Sequence, residues 1–138
     1  MTIRQEFIEV VTNGQGLLSI TDLVAAVVAR SGLRAGACTV FVQHTSASLV
    51  IQENADPSVQ QDLQSWLSDL APEHRQWRHD DEGPDDMPAH ARAAVTKTSE
   101  VIPIVQGKLA LGTWQGLFLW EHRAAPHRRR LVVHLAGE

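Results

Sequence analysis

The 138-residue chain is predicted to fold as a single α+β domain over residues 1–138, a mostly antiparallel sheet with helices packed on one face. Three observations predict it. From Val101 onward, short apolar runs are broken by turn residues, which is the pattern of antiparallel strands. Only residues 21–30, 57–70 and 89–95 read as helices, too few for the regular strand–helix alternation of a parallel sheet. The hydrophobic content of 43% suits one core, and there is no internal repeat, low-complexity tract or second domain.

Taken in order, residues 3–11 alternate loosely, with Ile3, Phe7, Val10 and Val11 among polar neighbours, and read as a first strand. Asn13-Gly14-Gln15-Gly16 is turn chemistry. Thr21-Asp22 is expected to cap a helix that Ser31-Gly32 ends. Residues 37–42 are a continuous apolar run, typical of a buried central strand, and Cys38 within it reads as a small hydrophobe. Asp56 is the expected N-cap and Pro57 the first position of a second helix. Its apolar stripe is Val59, Leu63, Trp66, Leu67 and Leu70. From Ala71 to Pro88 the pattern stops. This stretch holds three prolines, five acidic residues between Asp80 and Asp86, and His74, Trp77 and His79. So long a connection in a small domain points to function. A short helix over 89–95 is expected after Pro88, then strands over 101–105, 108–111, 114–121 and 128–135.

A formal charge of −4 and a pI near 5.9 argue against coating nucleic acid or anionic membrane. No apolar run approaches the roughly 20 residues of a membrane span, and no signal peptide is apparent. A single cysteine excludes an internal disulfide and fits a reducing cytoplasm, the expected location.

The densest chemistry lies in residues 44–56, where the apolar run ends. A histidine, hydroxyls, a carboxamide and carboxylates sit on or beside a strand expected to be buried. Buried polar groups without partners are costly, so this density points to a site. His44, His79 and His90 stand out together, although separations of 35 and 11 residues match no local metal motif. Three neutral imidazoles suit zinc or another divalent transition ion with a position open for water or substrate. Without metal they suit acid–base work near neutral pH. Glu53 and Asn54, at the end of the buried strand, are candidates to meet a ligand, and Ser46 alternates on one face with His44 and Ser48. No G-x-S-x-G elbow surrounds either serine. Asp85 or Asp86 is placed to orient a histidine. Residues 107–116 lack the G-x-x-x-x-G-K-[ST] phosphate loop; Trp114 and Gln115 offer an aromatic wall and an amide, and the Arg128-Arg129-Arg130 run an anion contact.

The segments His44-Thr45-Ser46-Ala47-Ser48-Leu49, Glu53-Asn54-Ala55-Asp56-Pro57, Asp85-Asp86-Met87-Pro88-Ala89-His90 and Gly107 to Gly116, in this order with His79, Gly83 and Glu121, resemble the YjbQ-like proteins. These are often labelled secondary thiamine-phosphate synthase-like. The resemblance implies a compact α+β domain, a homotrimer with pockets near subunit boundaries, and a polar site where His44, His79 and His90 gather around a metal or an anion. Asp56 and Glu121 fall within the match and join those histidines as catalytic candidates. The label implies condensation of hydroxymethylpyrimidine diphosphate with thiazole phosphate. That reaction needs a divalent ion, magnesium for a diphosphate, or arginines on the leaving group, here Arg128 and Arg129, with Trp114 and Gln115 against the ring. A metal-dependent hydrolase and a non-catalytic trimer binding metal or a phosphorylated ligand stand beside this transferase reading.

Overall fold

The computed structural model describes residues 1–138 as eleven elements. In chain order these are β1 (Thr2–Thr12), β2 (Gly16–Ser19), α1 (Thr21–Ser31), β3 (Ala35–Val42), β4 (Ala47–Glu53), α2 (Pro57–Leu70), α3 (Asp86–Val95), β5 (Ser99–Val105), β6 (Lys108–Leu109), β7 (Gln115–Glu121) and β8 (His127–Gly137). All strand pairs are antiparallel, and the single α+β domain is as expected. The strands divide into two sheets, β1-β8-β3-β5-β6 and β2-β7-β4. The division was not legible in the sequence, and β2 was missed because Gly16-Leu17-Leu18-Ser19 is too short to show a period.

The core lies between the sheets. Cys38, Val40 and Val42 of β3, Ile102 and Ile104 of β5, and Leu131, Val133 and Leu135 of β8 meet Leu49 of β4, Leu117 and Leu119 of β7, and Val24, Val27 and Val28 of α1. Burial pushes the Cys38 thiol up to about 11, so it packs as an inert hydrophobe. The alternate residues of β7, Phe118 and Trp120, face the other way, where the Trp120 indole donates to Gln64 of α2 at 2.7 Å. α2 and α3 lie on that side, α3 against β4.

Local chemistry fixes the boundaries. Asp56 caps α2 by accepting from the Ser58 amide at 2.9 Å, with Pro57 at the first helical position. Thr21 does not cap α1; its hydroxyl accepts from the Leu117 amide at 2.9 Å and so fastens the helix to β7. Gly32, at φ 71°, ends α1 in the left-handed region that a side chain disfavours. Trp66 and Leu70, expected on the buried stripe of α2, are exposed, and Leu67 is the residue this helix buries. β6 is two residues long, not four, and pairs with β5 through a Gln106-Gly107 turn with both φ positive.

α3 starts three residues earlier than expected. Pro88 is inside its first turn, where the missing N–H would have had no helical partner. This shift places Asp86 one turn before His90 on a single helical face.

Candidate functional site

β4 and β7 pair from Ala47↔Glu121 to Glu53↔Gln115, so the site candidates fall at two ends roughly 20 Å apart. Glu53, Asn54, Asp56, Trp114 and Gln115 occupy one end. The side chains of Glu53, Asn54, Asp56 and Gln115 hold backbone there. Glu53 accepts from the amides of Ala55 and Asp56, Asn54 donates to the carbonyls of Thr113 and Gln115, and Gln115 accepts from the Gly112 amide at 2.8 Å. Trp114 is 64% exposed.

Ser46, Glu121 and Arg129 lie at the opposite end, in the interior. Glu121 accepts from the Thr12 hydroxyl, the Arg129 guanidinium and the amides of His122 and Arg123. Burial opposes ionisation of Glu121, and these donors outweigh it, holding the carboxyl below its usual range. Arg129 also donates to the Ser46 hydroxyl and carbonyl. Glu121, expected to be catalytic, therefore has both oxygens occupied, and Arg129 is committed to it. Arg128 is exposed on the sheet and paired with Glu9 at 2.8 Å. His122, fully buried, pairs its Nε2 with the Ser48 hydroxyl at 2.8 Å, and burial drops its pKa to about 3.

The acidic loop and α3 bring two of the three selected histidines together. His79 Nε2 lies 2.8 Å from Asp86 Oδ2, and His90 Nε2 lies 3.4 Å from the same oxygen. Glu82 joins them 3.4 Å from His79. Donor atoms of His79, Glu82, Asp86 and His90 all fall within 4.8 Å of one another. Around an ion with bonds of about 2.1 Å, neighbouring donors of a tetrahedron sit roughly 3.4 Å apart, so this set fits a divalent ion with small adjustments. The His90 Nδ1 faces the Thr45 carbonyl at 3.0 Å, so Nδ1 carries a proton and Nε2 is turned toward Asp86. His44 is not in this set; its Nε2 accepts from the Arg130 amide at 2.8 Å.

Asp86 is 2% exposed, and Arg123 explains how it stays charged there. The guanidinium donates to Asp86 Oδ1 at 2.9 Å, to Asp85 Oδ2 at 3.0 Å and to the Glu82 carbonyl at 3.1 Å, so it clamps the loop to the β7–β8 connection. Burial opposes ionisation of Asp86; contacts with Glu82, His90, Arg123 and His79 together overcome it and hold the carboxyl low. The bond to Asp86 raises the His79 pKa, with Asp81 and Glu82 adding to it. The hydrogen-bond environment of His44 differs. Burial and the Arg129 charge lower its pKa and keep the ring neutral.

The sequence singles out His79 and His90 and offers Asp86 only an orienting role, and nothing in it marks Glu82 or Arg123. The signal for Asp86 was its four-residue spacing to His90, hidden by starting the helix at Ala89. No local pattern marks Arg123, which is 37 residues from Asp86.

A cavity of about 380 Å³ lies beside His79, walled by Trp77, Met87 and Pro88, and a second of about 270 Å³ lies between His44 and His90. Residues 6–138 match the family model described as UPF0047 protein YjbQ-like. A UPF0047 protein of Synechocystis sp. is 58% identical over 135 residues, covering 97% of this chain and 92% of that protein. The UPF0047 protein YjbQ of Escherichia coli O157:H7 is 42% identical over 103 residues, 75% of each chain. Among solved structures, a YbjQ-like protein of unknown function from Sulfolobus solfataricus superposes with a TM-score of 0.88 at 28% identity, covering 99% of this chain and 100% of that one. A conserved hypothetical protein from Thermus thermophilus superposes with a TM-score of 0.84 at 36% identity, covering 95% and 99%. No helix is long and apolar enough to cross a membrane.

Proposed function

The chain belongs to the YjbQ-like UPF0047 family, and we propose that it is a metal-dependent enzyme acting on a small oxygen-rich substrate at His79, Glu82, Asp86 and His90. One observation carries the reading. Asp86 is a nearly buried carboxylate with one oxygen held by Arg123 and the other facing two imidazole nitrogens. Two imidazoles with two carboxylates suit zinc, manganese or nickel better than magnesium, which prefers oxygen ligands and retained waters. A divalent ion supplies a Lewis acid and a bound water acidic enough to act near neutral pH. His79 and Glu82 are solvent-exposed, which leaves room for that water and for substrate. Arg123 fixes the carboxylate plane, and the Thr45 carbonyl fixes the His90 tautomer.

Hydrolysis is favoured over the thiamine-phosphate synthase reaction. Arg129 is committed to Glu121, Arg128 is on the sheet face, and Trp114 and Gln115 are at the far end of β7. Metal content of the purified protein tests the proposal. We expect one ion per chain, affinity for zinc weakened more than about a hundredfold in Asp86→Asn, and retention in His44→Ala. Zinc affinity should fall as pH drops through the raised His79 pKa, because the proton competes with the ion. A protein that binds none of zinc, manganese and nickel overturns the reading. Metal-dependent turnover on phosphate and carboxylic esters then tests the reaction class.

Self-association into the expected homotrimer has separate support. Phe7, Val132 and Phe41 form one cross-strand row on the outer face of the five-stranded sheet, with Ile3, Val11, Val101 and Val105 also exposed on that sheet. Exposed apolar patches of this kind mark interaction surfaces. Sedimentation should give a trimer that Phe7→Glu dissociates; a monomeric wild type removes it.

A further inference from the structure

We propose that Arg92 is a positioning residue for the metal set, a buried tether that holds the loop bearing His79 and Glu82 against the helix bearing Asp86 and His90. The four proposed ligands divide across a seam. His79 and Glu82 come from the acidic loop, Asp86 and His90 from α3. The cavity of about 380 Å³ spans the same seam, with Trp77 and Asp80 on the loop side and Met87 and Pro88 on the helix side. The distance between loop and helix therefore sets both the ligand geometry and the width of the cavity. Arg123 fastens the far end of the loop, at Glu82, Asp85 and Asp86. Arg92 fastens the near end, at Ala71.

Arg92 lies two residues beyond His90, so it leaves α3 on the opposite face, and it is 3% exposed. Its Nη2 donates to the Ala71 carbonyl at 2.9 Å, where α2 ends and the loop begins. α2 has no basic residue in its own last turn, and the guanidinium supplies the cation that the carbonyl end of a helix favours. Nε and Nη1 are buried without partners. A guanidinium held in the interior by so few acceptors is costly, and Met or Leu would fill the same space without that cost. What the charge secures is the loop. Burial lowers the Arg92 pKa, and the carboxylates that work against this are Glu73 and Asp85, one near each end of the loop. Arg92 thus acts on both feet of the segment from within the helix that carries the other two ligands.

The tether rests on the metal reading, and its test lets the two fail separately. Zinc affinity is measured by chelator competition in wild type, Arg92→Met, His79→Ala, His90→Ala and the two double variants. Arg92→Met should weaken zinc about tenfold. His79→Ala should cost at least about fivefold less in that background than in wild type, whereas His90→Ala should cost the same in both. Arg92→Lys, which keeps a donor for Ala71, should recover part of the loss. Additive effects with His79, or equal coupling to both histidines, overturn the tether. The second measurement needs no metal. Trypsin cuts after Arg75 and Arg78 in the loop, and chelator-treated Arg92→Met should be nicked there at least about tenfold faster than wild type, with cleavage after Arg30 in α1 unchanged. Equal nicking, or equal acceleration at Arg30, also overturns the tether. If Arg92→Met does not fold, Arg92→Lys carries both measurements with smaller changes in the same direction, and wild-type behaviour in it refutes the proposal. A wild type that binds no zinc removes the metal reading alone, and the nicking rates still decide the tether.

Discussion

Two arginine–carboxylate pairs sit on either side of the same β7–β8 connection. At Glu121–Arg129 each carboxylate oxygen meets several donors, from Thr12, Arg129, His122 and Arg123, and the pair is sealed in the interior. At Asp86–Arg123 the guanidinium takes one oxygen, and the other turns to two histidines at the edge of solvent. The chemical groups are the same. What separates the sealed pair from the one proposed to hold a metal is the acceptor capacity left after the fold has been satisfied. Both Glu121 oxygens are taken by donors fixed in the interior, whereas Asp86 Oδ2 meets only the imidazoles of His79 and His90.

The sharpest way to break this contrast is to remove the sealed carboxylate. Glu121→Ala strands a buried guanidinium and should lower stability by about 3–5 kcal/mol in urea titration. Glu121→Leu with Arg129→Met should recover most of that. If the single variant unfolds like wild type, the pair is not the structural one. Arg123→Met should cost less stability but weaken zinc about ten- to a hundredfold, as loss of a group that orients a ligand does. A cobalt-substituted spectrum changed from wild type separates misorientation from simple destabilisation; unchanged zinc affinity refutes the positioning role.

The sealed end also has a pH signature. The folded pKa of His122 is depressed to about 3 from 6.5, so the unfolded chain takes up its proton first as pH falls. Stability is fully present above 6.5 and declines below it, by about 2 kcal/mol between pH 7 and pH 5. The slope should flatten in His122→Gln, and an equal slope in that variant assigns it elsewhere. The smallest effect belongs to the far end of β4, where Asp56 only caps. Asp56→Ala should cost about 1 kcal/mol of stability and leave zinc affinity untouched.

The sequence by itself determined the α+β class, the capped α2 and the buried β3. Those features are written in local periodicity, capping residues and turn chemistry, which act over a few residues. It also placed Asp56 correctly as a cap. Tertiary structure alone decided which polar residues keep free valence. Glu121 and Asp86 are both nearly buried carboxylates, and nothing local says that Arg129 and Thr12 close one while Arg123 half-closes the other. Those partners come from strands and loops 8 to 109 residues away along the chain. His44 left the histidine set for the same reason: its Nε2 is taken by an amide 86 residues distant, and only the register of β8 brings that amide to it.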